Sequence, residues 1–78
     1  MNKYSDEIVD KIVNYKTLNN RTKIDRLLEI DAIQYQNLGI DSTKTEKQEV
    51  RRNSKYIYKA IQKIDYDMGY KFLHYIDK

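Results

Sequence analysis

Between Thr43 and Ile64 the chain places Val50, Ser54, Ile57, Ile61 and Ile64 at spacings of four, three, four and three residues. At about 100° per residue these five side chains fall within an arc of roughly 80°, so the stretch reads as one long amphipathic helix with a single seam. Ala60 and Tyr58 flank that seam. The opposite face carries Lys47, Arg51, Lys55, Lys59 and Lys63, each four residues after the last, with Arg52 and Tyr56 at its edge. A strict four-residue spacing drifts by about 40° per step, so the basic row winds slowly across the outer surface. Thr43 followed by Glu46 predicts the start as a capping box. Glu46 and Glu49 near the beginning, with Lys59 and Lys63 near the end, suit the helix dipole.

The rest of the chain arranges itself around this helix. Ser5 predicts a cap for a first helix over residues 6–17, with Asp6 and Glu7 in its first turn and Ile8, Val9, Ile12 and Val13 on one face. Asn19-Asn20 marks a turn. A second helix follows over residues 23–38, with Thr22 as its cap. Ile24, Leu27, Leu28, Tyr35 and Leu38 form its best apolar face, and Ile30, Ala32 and Ile33 lie elsewhere on the cylinder. A helix apolar on more than one side touches two neighbours. Gly39 reads as a left-handed stop, with Ile40 folding back on the last turn. The short connection through Asp41-Ser42 favours an antiparallel pair. The long helix covers residues 44–64. The pattern breaks at Asp65-Tyr66-Asp67, where either aspartate caps a short last helix over residues 66–76. Met68, Phe72, Leu73 and Ile76 form its inner face, and Tyr70 and His74 point away. Without proline, and with only two glycines, the chain has few sites for strands joined by tight turns. The expected class is all-α, a small helical bundle of three main helices plus a short C-terminal one, with residues 1–78 as a single helical domain.

A chain of 78 residues draws only about 3–5 kcal/mol from one core unless something assists it. The sequence has no cysteine, so disulfides and thiolate metal sites are excluded. The lone histidine, His74, makes no multi-histidine site. Assembly, with itself or with a partner protein, is the remaining support. No apolar run approaches the roughly 20 residues that span a bilayer, and Met1-Asn2-Lys3-Tyr4 opens no apolar signal core. The expected setting is the cytoplasm, or a particle assembled there. Lys, Ile, Asn and Tyr together make 35 of the 78 residues, a bias that AT-rich coding gives and that suits a bacteriophage component.

The net charge of +3 is unevenly spread. Residues 1–40 are balanced, residues 41–63 carry seven basic and three acidic groups, and residues 64–78 are slightly acidic. The excess therefore belongs to the long helix. Lys47, Arg51, Arg52, Lys55, Tyr56, Lys59 and Lys63 are the candidate contact residues, for a partner protein or for a phosphate backbone. Base-specific reading is not expected from them. A helix-turn-helix with Gly39 in the turn fits poorly, because Thr45 and Gln48 put polar groups at core positions and Tyr35 occupies a place for a small residue.

Asp31 stands at the centre of the second helix's apolar face, and an unpaired buried carboxylate is expensive. Three readings are open: an acid–base group with a raised pKa, a structural pair with Arg51, Lys47 or a tyrosine, or a rotated helix that turns Asp31 to water. Ser54 on the seam reads as a small residue for close packing, its hydroxyl bonded to the preceding turn. No base reaches it, since His74 faces outward, and no phosphate loop, zinc motif or calcium loop is present. No catalytic residue, cofactor, metal or small-molecule substrate is indicated. Eight tyrosines exceed what so small a core needs, and tyrosine is enriched at interfaces. The expected function is a non-enzymatic interaction or structural subunit. The alternative is a nucleic-acid-associated protein using the basic face of residues 43–64.

Overall fold

Four helices follow one another in the computed structural model, which describes residues 4–39 and 41–76. They are α1 (Asp6–Asn14), α2 (Asn20–Gln36), α3 (Lys44–Ile64) and α4 (Tyr66–Ile76), and no strand occurs among the described residues. Ser5 caps α1, its side-chain oxygen accepting from the Ile8 N–H at 3.2 Å. Thr43 caps α3, where Oγ1 accepts from the Glu46 N–H at 3.1 Å and the hydroxyl meets Glu46 Oε1 at 3.2 Å. Asp65 is both the end of α3 and the start of α4. Its backbone N–H returns to the Ile61 carbonyl, and its Oδ1 accepts from the Met68 N–H at 3.2 Å. One residue thus reverses the chain.

The boundaries of the first two helices differ from the sequence expectation. α1 stops at Asn14 rather than near residue 17, with Tyr15 already extended. Lys23 Nζ donates to the Val13 carbonyl at 2.8 Å, satisfying an orphan acceptor of the last turn from outside the helix. α2 begins earlier than residue 23, because Asn19 is the cap and its Oδ1 accepts from the Thr22 N–H at 2.8 Å. Thr22 therefore lies inside the first turn. Asparagine and threonine both cap well; the earlier one gains an additional turn of helix. Gly39 is no left-handed stop, since no glycine takes a positive φ among the described residues. The chain leaves α2 through a turn in which the Ser42 N–H bonds the Gly39 carbonyl and the Gly39 N–H donates to Ser42 Oγ. The expected fold-back of Ile40 lies outside the described residues.

α3 is the common neighbour, packing against α1, α2 and α4. α1 runs parallel to it, with Asp6 beside Arg52 and Asp10 beside Tyr56. α2 runs antiparallel, pairing Asp31 with Ser54 and Gln34 with Asn53. α4 also runs antiparallel, Phe72 stacking on Tyr58 and the Arg51 guanidinium donating to the Ile76 carbonyl. The core is small: Val9, Ile24, Leu27, Ile57, Ala60 and Ile61 are buried. Tyr4, Ile12, Leu28, Ile30, Ile64 and Phe72 are among the half-buried side chains that pack around it.

Candidate interaction faces around the third helix

Two polar links cross the α2–α3 interface. Asp31, 8% exposed, receives hydrogen bonds from the Ser54 hydroxyl on one carboxylate oxygen and from the Tyr58 hydroxyl, at 2.6 Å, on the other. Of the three sequence readings this geometry matches the structural one, with a tyrosine as partner and neither Arg51 nor Lys47 involved. Rotation of Asp31 to water is excluded by its burial. Ser54 is fully buried, and its hydroxyl bonds Asp31 rather than the preceding turn of α3. Burial, and then the bond to Asp31, hold the Tyr58 phenol well above its ordinary pKa. One turn away, Asn53 Nδ2 donates to Gln34 Oε1 at 2.8 Å, and Asn53 Oδ1 accepts from the Arg52 guanidinium at 2.7 Å. Sequence reasoning missed Gln34 and Asn53. The signal was present in α2, where Ile24, Leu27, Asp31 and Gln34 repeat at three, four and three and are its buried residues.

The basic residues of α3 do not form one uniform face. Lys47, Arg51, Arg52, Lys59 and Lys63 are exposed, while Lys55 and Tyr56 are half-buried. Arg51 is engaged by the C-terminal carbonyl of α4, where the helix dipole favours a cation. Arg52 braces Asn53 and stands 4.0 Å from Asp6, a solvent-exposed pair that contributes little. Tyr56 donates to Asp10 at 2.7 Å, and this bond, followed by desolvation, raises its pKa. Tyr4 bonds Asp6 at 2.6 Å, and burial followed by that bond raises its pKa too. The row divides, therefore, into Arg52 and Arg51, which meet α1 and α4, the half-buried Lys55, and Lys47, Lys59 and Lys63 on open surface.

An open cleft of about 500 Å³ lies between the start of α1, the C-terminal half of α2 and the first turns of α3. Ile8, Ile30, Ile33, Leu38 and Val50 make its walls apolar, and Glu46 and Glu49 stand among its lining residues. Gln34 lines it too. That side chain is 8% exposed, and its Nε2 is buried without an acceptor. On another side of the molecule α4 exposes Tyr66, Tyr70 and His74, four residues apart. Their rings form a near-parallel ladder with centroids 6.3 and 6.4 Å apart.

No cluster of three or more histidine, cysteine, aspartate or glutamate side chains suited to a metal ion occurs among the described residues. No helix of the described residues is long and apolar enough to cross a membrane. No protein-family model, curated protein or solved structure matches this chain.

Proposed function

We propose that this chain, a small bundle of three helices with a short fourth, is a non-enzymatic subunit that docks on a larger protein assembly. The cleft between α1, α2 and α3 carries the reading. Its walls leave aliphatic surface in water, Ile8 being 38% exposed. Its volume lies in the range of about 300–1,000 Å³ typical of ligand pockets, enough for an inserted side-chain anchor. Glu46 and Glu49 favour a partner segment with a basic residue beside its apolar anchor.

The test is capture from the native source, after nuclease treatment, with the parent chain and with Ile8→Glu and Ile33→Glu. A protein retained by the parent and lost by both variants, with unchanged melting, supports the proposal. Equal recovery by all three, or recovery that vanishes with nuclease, defeats it. Sedimentation of the purified chain separates a second copy from a different protein as the occupant.

A further inference from the structure

α4 meets α3 at Gly69, which is buried against the backbone of Gln62. Phe72 stacks on Tyr58 with centroids 5.1 Å apart, so one flank of this helix pair is filled. At about 100° per residue, Tyr66 and Tyr70 leave α4 on the other flank. On α3 the side chains of that flank are Lys59 and Lys63, about 60° and 100° around from Gln62 and away from Tyr58. Both are exposed. The axial register then follows from the antiparallel packing. With Gly69 level with Gln62, Lys63 falls between Tyr66 and Tyr70, and Lys59 falls between Tyr70 and His74. Both rows repeat every four residues, about 6 Å, so cations and aromatic rings alternate along one groove edge. Tyr66 is 67% exposed and Tyr70 56%, far more than core tyrosines. Asp67 shares the outer surface of α4 beside the ladder, and Asp10 of α1 meets Tyr56 one turn before Lys59, so two acids border the two lysines.

We infer that this α3/α4 flank binds single-stranded nucleic acid, with Tyr66, Tyr70 and His74 stacking unpaired bases and Lys59 and Lys63 taking the phosphates. Aromatic platforms accept any base because every base has a π-face, and a parallel line of cations follows the backbone. A duplex keeps its base faces stacked inside and offers the ladder nothing to stack on. None of Tyr66, Tyr70, His74, Lys59 and Lys63 lines the cleft described above, so this activity stands or falls independently of protein docking.

The experiment is fluorescence anisotropy of a fluorescein-labelled oligothymidylate, and of a duplex of equal length, titrated with the full chain over a salt series. Expected is single-strand binding tighter than about 10⁻⁴ M at physiological salt. Tyrosine fluorescence should be quenched on binding. Tyr70→Ala should weaken binding about tenfold or more, while Tyr70→Phe, which keeps the ring, stays near the parent. Lys59→Gln with Lys63→Gln should lower the salt slope by about 1.4, at roughly 0.7 per phosphate contact on a single strand. Absence of binding at that level overturns the inference. So does equal or tighter binding of the duplex, or single-strand binding that neither quenches tyrosine nor responds to Tyr70→Ala. Quenching in the unaltered protein and the Tyr70→Phe comparison decide the matter if Tyr70→Ala disturbs the fold.

Discussion

Replacing Gly69 by alanine should loosen α4, although the same change stabilises most exposed helices. A Cβ at position 69 would lie 2.5 Å from Gln62 Cβ and closer still to the Gln62 Cα and backbone nitrogen. Carbon atoms pack at about 3.5–4.0 Å, so α4 must retreat from α3 by about 1 Å or more. The obstacle is mainly backbone, and no rotamer change removes it. Overpacking of this kind costs about 1–3 kcal/mol. Against it stands the helix-propensity gain of Ala over Gly, about 1 kcal/mol. The balance is a net loss of up to about 2 kcal/mol, concentrated in α4, which among the described residues packs on α3 alone. Native-state hydrogen exchange should therefore show α4 amides released in the variant while those around Leu27 and Ile57 keep their protection. A denaturant melt should give the same sign. An increase in stability of about 1 kcal/mol, the propensity term acting unopposed, would refute the close approach of the two helices.

The buried carboxylate should show strong coupling. Asp31→Ala leaves a buried and a half-buried hydroxyl without their acceptor and should cost on the order of 3 kcal/mol, Ser54→Ala about 1–2, and the double variant less than their sum, by urea denaturation. A loss under about 0.5 kcal/mol for Asp31→Ala would contradict its burial. Tyr4 and Tyr58 have folded-state pKa values raised above the unfolded value of about 10. Their contribution is complete below pH of about 10 and is lost as pH rises from there toward the folded values. Alkaline titration should show the last part of the tyrosinate absorbance appearing together with loss of helical circular dichroism; ionisation of every tyrosine with the helices intact would contradict it. Charge reversal should divide the basic row: Lys59→Glu with Lys63→Glu should stay within about 0.5 kcal/mol of the parent. Arg51→Glu, which sets an acid against the Ile76 carbonyl, should loosen α4 by about 1 kcal/mol in the same melts, and equal effects would sink the distinction.

The all-α class and the extents of α3 and α4 were legible because strong seams and good caps coincide there. Thr43, Ser5 and Asp65 each place a side-chain oxygen where the first N–H groups lack partners. The beginning of α2 was not legible, since Asn19 and Thr22 are both good caps and the choice between them is made by packing. The inward face of α2 was misjudged for a similar reason. Leu28, Tyr35 and Leu38 look more apolar than Asp31 and Gln34, yet Tyr35 is 45% exposed while both polar residues are buried. Their partners Ser54, Tyr58 and Asn53 all come from α3, and a single-helix pattern carries no record of a partner. The basic row was visible as a periodicity. Its division was not, because Arg51 is claimed by α4, whose docking depends on the missing side chain of Gly69.

Asp31 has one further consequence. The buried apolar residues among those described are small or aliphatic, and such surfaces tolerate sliding by a turn with little change in contact area. Asp31 grips two hydroxyls on α3, at Ser54 and, four residues later, at Tyr58. A shift of α2 by one turn, about 5.4 Å, would break both bonds and strand the carboxylate in apolar surroundings. The carboxylate thereby acts as a register lock. It penalises the misaligned pairings that a core of Ile, Leu, Val and Ala would accept, as a single buried polar residue does along a coiled-coil seam.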